Sequence, residues 1–369
     1  MMIVEKKSFQ IENYKLENGA EIPVTLGYET YGTLNADKSN AILVAHYFSA
    51  SSHAAGKYSE DDAAPGYWDA LIGPGKAVDT DKYFVISTDN LANVQFNNPT
   101  VITTGPRSIN PKTGKIFGSS FPAFTFKDVA GIQHEFITKQ LGIEKLYAVM
   151  GASAGGFISL NWAVEFPERM EKVIGVITNP QNPVMTSFSV LQHAMRAIAL
   201  DPNWNGGDYE TGNGPKEGLK MAIQMMNAGA FSPKFYEETY VRDSAEERPY
   251  ADVFEATSYE RKLDEAVSAT FDSIDASHWY YTCRATMMHD LAHGNGSLEE
   301  ALDKIKADLM LVSCTQDQLQ PTVFNVEMVE MMEKIGKKVE LVKITSDKGH
   351  MAGVLEGNLF AQNLKEFLA

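Results

Sequence analysis

Leu146-Tyr147-Ala148-Val149-Met150-Gly151-Ala152-Ser153-Ala154-Gly155-Gly156 is the stretch that decides how this chain folds. Leu146 to Met150 is a short apolar run of the kind a strand buried on both faces requires. Gly151-x-Ser153-x-Gly155 follows at once, and Gly155 to Phe166 then reads as a helix stopped by Pro167. A serine held at a sharp strand-to-helix turn needs neighbours without bulky Cβ groups, so that the chain bends tightly and Oγ stands exposed. The N–H groups opening the helix at Ala154 would face the reacting centre, where negative charge develops. The serine motif alone recurs by chance, and it is the strand before it and the helix after it that single out Ser153 as a nucleophile.

Working outward, short β-branched runs alternate with amphipathic helical stretches. The opening segments, Phe9 to Lys15 and Ile22 to Tyr31, alternate apolar and polar residues and are joined by Asn18-Gly19, which predicts an antiparallel hairpin. Buried runs follow at Ala41 to Ala45, Tyr83 to Thr88, Leu146 to Met150, Lys172 to Ile177, Leu309 to Ser313 and Val339 to Ile344. Asn90 to Pro122 is rich in Gly, Pro and Asn with little periodicity, a long ordered loop of the kind that usually serves function. Phe126 to Leu141 has helical spacing and ends at Gly142. From about Pro183 to Gly296 the strand signals vanish while Met, Ala, Phe and Tyr recur at helical spacing. The pattern predicts an α/β-hydrolase fold, a mostly parallel doubly wound sheet with an inserted helical lid: residues 1–182 and 297–369 form the core and 183–296 the lid.

A serine is a weak nucleophile at neutral pH and needs a base, with an acid to orient that base. This fold supplies them in the chain order Ser, Asp, His. Asp317 follows the run Leu309 to Ser313 in the turn Asp317-Gln318-Leu319-Gln320-Pro321, and His350 follows the last run in Lys348-Gly349-His350. His46, His53, His134, His193, His278, His289 and His293 compete on residue type alone, but only His350 follows the final core strand with a glycine before it. Asp347 is the rival acid, set close to His350 in sequence. The oxyanion that forms during acyl transfer needs two N–H donors. Ala154 and, from the loop His46-Tyr47-Phe48-Ser49, Phe48 are expected to supply them from the backbone.

Several strings then look familiar. Asn40 to His46, Ser52-His53-Ala54-Ala55-Gly56, Trp68 to Gly75, Thr104-Gly105-Pro106, Ser108-Ile109-Asn110-Pro111, Asp201-Pro202-Asn203-Trp204, Gly206 to Tyr209 and Asp317-x-Leu319-x-Pro321 resemble the homoserine O-acetyltransferase family across nearly the whole chain. The resemblance implies a ping-pong reaction serving methionine biosynthesis. The serine takes an acetyl group from acetyl-CoA, with no tightly bound cofactor, and passes it to the hydroxyl of homoserine. It also implies a homodimer joined through the lid. Three positions depart from the family. An Asp usually follows the histidine, to meet the substrate amino group, where this chain has Met351. An Arg that usually clamps the carboxylate from the lid is missing from Met226-Asn227-Ala228-Gly229-Ala230-Phe231. The residue after the serine, usually Met, is Ala154. Arg242, Arg248 and Arg284 are the candidate substitutes for the clamp. These departures keep a second reading open, a carboxylesterase that uses water as acceptor.

Composition bounds the rest. The chain has 369 residues, 44% hydrophobic and 22% charged, with ample apolar material for a core. A formal charge of -16 argues against nucleic acid and anionic membrane surfaces as partners. Cys283 and Cys314 lack metal-ligand or redox spacing and are expected to be reduced, buried thiols, so no metal is expected. Met1 to Gln10 lacks the apolar run of a signal peptide and no window spans a bilayer, so a cytoplasmic enzyme is expected.

Overall fold

A computed structural model describes residues 2–244 and 252–369. The opening hairpin is β1 (Lys7–Lys15) and β2 (Glu21–Tyr31), paired antiparallel. Six further strands follow: β3 (Ala41–Ala45), β4 (Phe84–Thr88), β5 (Leu146–Ala152), β6 (Met170–Val176), β7 (Asp308–Cys314) and β8 (Val339–Ile344). They form one sheet in the order β1-β2-β4-β3-β5-β6-β7-β8, parallel from β4 to β8. All five residues of β3 are wholly buried, as expected of an apolar run covered on both faces.

Side-chain alternation along the strands splits the core in two. Leu43, Val149, Val173 and Leu309 point to the face covered by α1 (Phe126–Glu135) and α2 (Ala154–Glu165). Ile42, Met150, Ile174 and Met310 point to the other face, against Trp68, Phe360 and Leu364. Thr125 caps α1 in a reciprocal pair with Asp128. The run to Leu141 is not one regular helix: after Glu135 it widens into a π-type turn over Phe136–Gln140 before Gly142 at φ +62° ends it. The predicted strand end also moves, because Ile177 turns to φ +47° and leaves the sheet at Val176.

Between β6 and β7 the described chain adds no strand to the sheet. It runs through α3 (Gln192–Leu200), α4 (Lys216–Ala230), α5 (Ser258–Phe271) and α6 (Ala276–Met287). This insertion has an apolar centre of its own, in which Leu191, Ile198, Ala222, Trp279 and Cys283 pack together with Val94 from the long loop. That loop is pinned to the insertion by the buried Arg107, which donates to Tyr209 O at 2.7 Å and Thr211 Oγ1 at 3.0 Å. Helices α7 (Thr322–Lys334) and α8 (Ala361–Leu368) complete the layers. Cys283 and Cys314 are free and buried.

Candidate active site

The parallel strands end along one edge of the sheet, and the elbow stands at its middle. Ser153 links β5 to α2 with φ 54° and ψ −118°, a backbone region that costs a residue other than glycine about 1–3 kcal/mol. The surrounding structure holds it there: Ser153 N donates to Val176 O at 2.8 Å, and Ser153 O accepts from Phe157 N at 3.0 Å. A Cβ on Gly155 would collide with the carbonyl of Ala45 at the end of β3. The glycine therefore lets the first turn of α2 press against the start of the loop after β3, and the two candidate oxyanion donors become neighbours.

Three side chains from three segments converge. Ser153 Oγ lies 2.8 Å from His350 Nε2, and His350 Nδ1 lies 2.7 Å from Asp317 Oδ2. With Asp317 ionised, Nδ1 carries the proton and donates to it, leaving Nε2 to accept from the serine hydroxyl. The other carboxylate oxygen, Asp317 Oδ1, accepts from Leu319 N and Gln320 N, both at 2.8 Å. The turn that follows β7 thus fixes the orientation of the Asp317 carboxylate. His350 sits in a single helical turn, Gly349–Met351, that Gly349 opens at φ +55°.

Asp347 is occupied elsewhere, by Lys234 at 2.7 Å and Gln316 at 2.9 Å. The competing histidines also have other partners: His53 meets Glu29 at 3.0 Å, and His134 stacks on Phe166 with ring centroids 4.1 Å apart. His46, His278 and His289 are buried, and desolvation lowers each to about 4 in spite of hydrogen bonds that act the other way. They are neutral at physiological pH.

Among the described residues, Phe48 N and Ala154 N have no hydrogen-bond acceptor. Both residues line the cavity that opens over Ser153, about 170 Å³ in volume. The Phe48 ring packs edge-on against Trp279 at 4.8 Å, which leaves its backbone to the cavity. The insertion supplies the opposite wall through Leu191, Met226, Asn227, Ala230 and Phe231, joined by Met351 from beside the base. Among the described residues no Asp, Glu, Lys or Arg lines this cavity. Arg242 is exposed and holds Glu237, Arg284 is exposed, and Arg248 lies outside the described residues.

Sequence reasoning did not find Asn182, Thr186 or Gln320 in the wall. Gln320 had a usable signal, its place in the turn that carries Asp317. Asn182 and Thr186 had none, because nothing local shows that the chain leaving β6 doubles back over the elbow.

Such an edge, with a serine elbow, an aspartate after β7 and a histidine after β8, defines an α/β-hydrolase-fold protein, and the family model described as "alpha/beta hydrolase fold" matches residues 65–356. Homoserine O-acetyltransferase from Geotalea uraniireducens is 39% identical over 99% of this chain and 97% of its own length. The crystal structure of homoserine O-acetyltransferase from Bacillus anthracis superposes with a TM-score of 0.98 at 53% identity, covering 100% of this chain and 98% of that one. Esterase E22 superposes with a TM-score of 0.95 at 39% identity over the whole of both chains. The chain belongs to the homoserine O-acetyltransferase family.

Proposed function

We propose that this protein transfers an acetyl group through a covalent acyl-Ser153 intermediate, with acetyl-CoA as donor and homoserine or another small hydroxyl compound as acceptor. The observation that carries the reading is the unbroken chain Ser153–His350–Asp317, with hydrogen bonds of 2.8 and 2.7 Å. Ser153 Oγ attacks the thioester carbonyl as its proton passes to His350 Nε2. The oxyanion takes hydrogen bonds from Phe48 N and Ala154 N, each such donor worth about 3–4 kcal/mol in the barrier. The C–S bond breaks, and the proton on Nε2 goes to the departing sulfur. The acceptor hydroxyl then gives its proton to Nε2 and attacks the acyl carbon. When the new ester forms, that proton returns to Ser153 Oγ. Asp317 keeps Nδ1 protonated and stabilises the imidazolium in both halves.

A specific observation favours a second reading, hydrolysis with water as acceptor. Met351 and an uncharged wall face the elbow, whereas homoserine is a zwitterion. Burying its ammonium and carboxylate without charged partners costs several kcal/mol, at least about as much as one oxyanion donor supplies. The two readings share the acyl-enzyme and differ only in what removes the acyl group. Incubation with acetyl-CoA and homoserine separates them. Acetylhomoserine is the expected product; its absence, alongside rapid p-nitrophenyl acetate turnover, would make water the acceptor.

The reading includes a lid formed by residues 183–296 and a cytoplasmic homodimer joined through it. Exposed Val241, Val253, Phe254 and Tyr259 on the insertion support an apolar contact there. A monomer mass in light scattering would remove the dimer from this account.

A further inference from the structure

His46 is a buried histidine that the proton transfers do not use, and it holds the peptide on which one oxyanion donor sits. It directly follows β3 and is 1% exposed. Its Nδ1 lies 2.7 Å from Tyr47 O. The carbonyl of Tyr47 and the N–H of Phe48 belong to one planar peptide unit and point in opposite directions. A hydrogen bond that fixes the carbonyl therefore fixes the direction of the N–H, and the Phe48 N–H, beside Ser153, has no acceptor among the described residues.

The tautomer of His46 is dictated from its other side. Nε2 accepts from Asn90 N at 3.1 Å and lies 3.1 Å from Asn93 Nδ2. Both are donors, so Nε2 carries no proton and Nδ1 must carry one. Ring and loop are braced together: the same Asn93 amide donates to Ala50 O at 3.0 Å, Gln95 Nε2 donates to Ser49 O at 2.5 Å, and Ala50 N donates to Tyr47 O at 3.1 Å. Two residues further on, Ser52 N donates to Asp89 Oδ1 at 2.7 Å. These bonds brace residues 47–52, and two of them end on Tyr47 O, the carbonyl of the peptide that carries Phe48 N–H: the backbone bond from Ala50 N and the shorter side-chain bond from His46 Nδ1.

We propose that His46 is a positioning residue for the oxyanion hole. As a neutral imidazole protonated on Nδ1, it aims the Phe48 N–H at the oxyanion through the Tyr47–Phe48 peptide. The inference rests on the acyl-Ser153 reading above and adds to it the group that pre-orients one of the two donors. Pre-orientation matters because a donor that must rotate during the reaction loses much of its advantage over water.

The test exploits the shape of two amides. An asparagine at this position reaches roughly where Nδ1 stands and can donate to Tyr47 O. A glutamine reaches roughly where Nε2 stands and serves Asn90 and Asn93 while leaving Tyr47 O without its imidazole donor. Turnover of p-nitrophenyl acetate and thermal unfolding are measured on the wild type, His46→Asn, His46→Gln and Ser153→Ala. His46→Gln is expected to lower kcat about 100-fold, in line with loss of one oxyanion donor, with KM within about threefold. His46→Asn is expected to recover kcat to within about tenfold of the wild type at a similar unfolding temperature. Inhibition by a boronate, which forms a tetrahedral adduct, should weaken in parallel with kcat.

Wild-type kcat in His46→Gln, or equal losses in the Asn and Gln variants, overturns the proposal. If neither variant folds, nitrogen NMR of histidine-labelled wild-type protein decides, since a proton on Nε2 of His46 contradicts it. An active Ser153→Ala would instead sink the acyl-serine reading, so the two failures are told apart.

Discussion

The sheet edge and the helical insertion face each other across one cavity, and they are built on opposite principles. On the sheet side almost every polar group near Ser153 is committed: Asp317 takes two backbone N–H groups as well as the imidazole, and His46 is bonded through both nitrogens. On the insertion side the wall is mostly Leu191, Met226, Ala230 and Phe231, side chains with shape but no direction. Stabilising a developing charge needs dipoles that do not reorganise, so that work falls to strand ends and the tight turns after them. Choosing an acceptor needs volume and a few polar contacts, which an insertion can alter without disturbing the chemistry. Such a division lets the acceptor side vary while the reaction centre stays fixed.

The largest way to break the comparison is to remove the proposed nucleophile. Ser153→Ala should lower turnover by about 10⁵-fold or more while the unfolding temperature holds, because alanine fits the elbow as well as serine does. A comparable loss of stability would mean that the hydroxyl is structural. Next, Asp317→Asn should cost about 10⁴-fold in kcat. The amide oxygen can still serve Leu319 N and Gln320 N, but the NH₂ then faces His350 Nδ1 and favours the wrong tautomer. Near-normal activity in this variant would remove Asp317 from the machinery.

A third test concerns the buried imidazoles on both sides of the cavity. Burial holds His46, His278 and His289 at about 4, below the ordinary value of 6.5. The unfolded chain binds these protons first, so their share of stability is complete above about pH 6.5 and is lost as the pH falls toward 4, on the order of 3 kcal/mol per residue. Urea unfolding at pH 7 and pH 5 should show the decline, and a flat profile would contradict buried neutral rings. Glu29 extends the loss to more acid conditions. Burial raises its carboxyl, but His53, Lys6 and Tyr58 outweigh that and hold it below its ordinary value, so its contribution fades only as the pH falls through that lowered value.

The smallest test sharpens the insertion side. Met351→Asp places a carboxylate at the cavity and should raise acetyl transfer to homoserine relative to hydrolysis by about tenfold, the worth of one modest charge contact. An unchanged product ratio in a folded, acylating variant would mean that acceptor choice does not depend on this position.

The sheet was legible because its strands are covered on both faces. Ala41 to Ala45 has no polar residue, and a run of that kind between loops leaves little room for another assignment. The elbow was legible because its glycines are demanded by close approach, as Gly155 against Ala45 shows. Asp317 and His350 were found through chain order, which reflects the positions of β7 and β8 rather than anything in the two residues themselves. The bracing of the loop at residues 47–52 was not legible. Asn93, Gln95 and Asp89 lie about forty residues from the loop they hold, and asparagine in a Gly- and Pro-rich loop ordinarily signals only a turn. His46 was visible only as one of several competing histidines, since its significance lies in which atom of Tyr47 it touches. The wall at Asn182 and Thr186 depends on how the chain returns after β6, which no periodicity encodes.

The account stands most directly on the acyl-enzyme. Rapid mixing with p-nitrophenyl acetate, acid quenching and peptide mapping should find one acetyl group per chain, on Ser153, formed in a burst before steady turnover. An acetyl group on another side chain, or the same amount of trapped acetyl in Ser153→Ala, would contradict it.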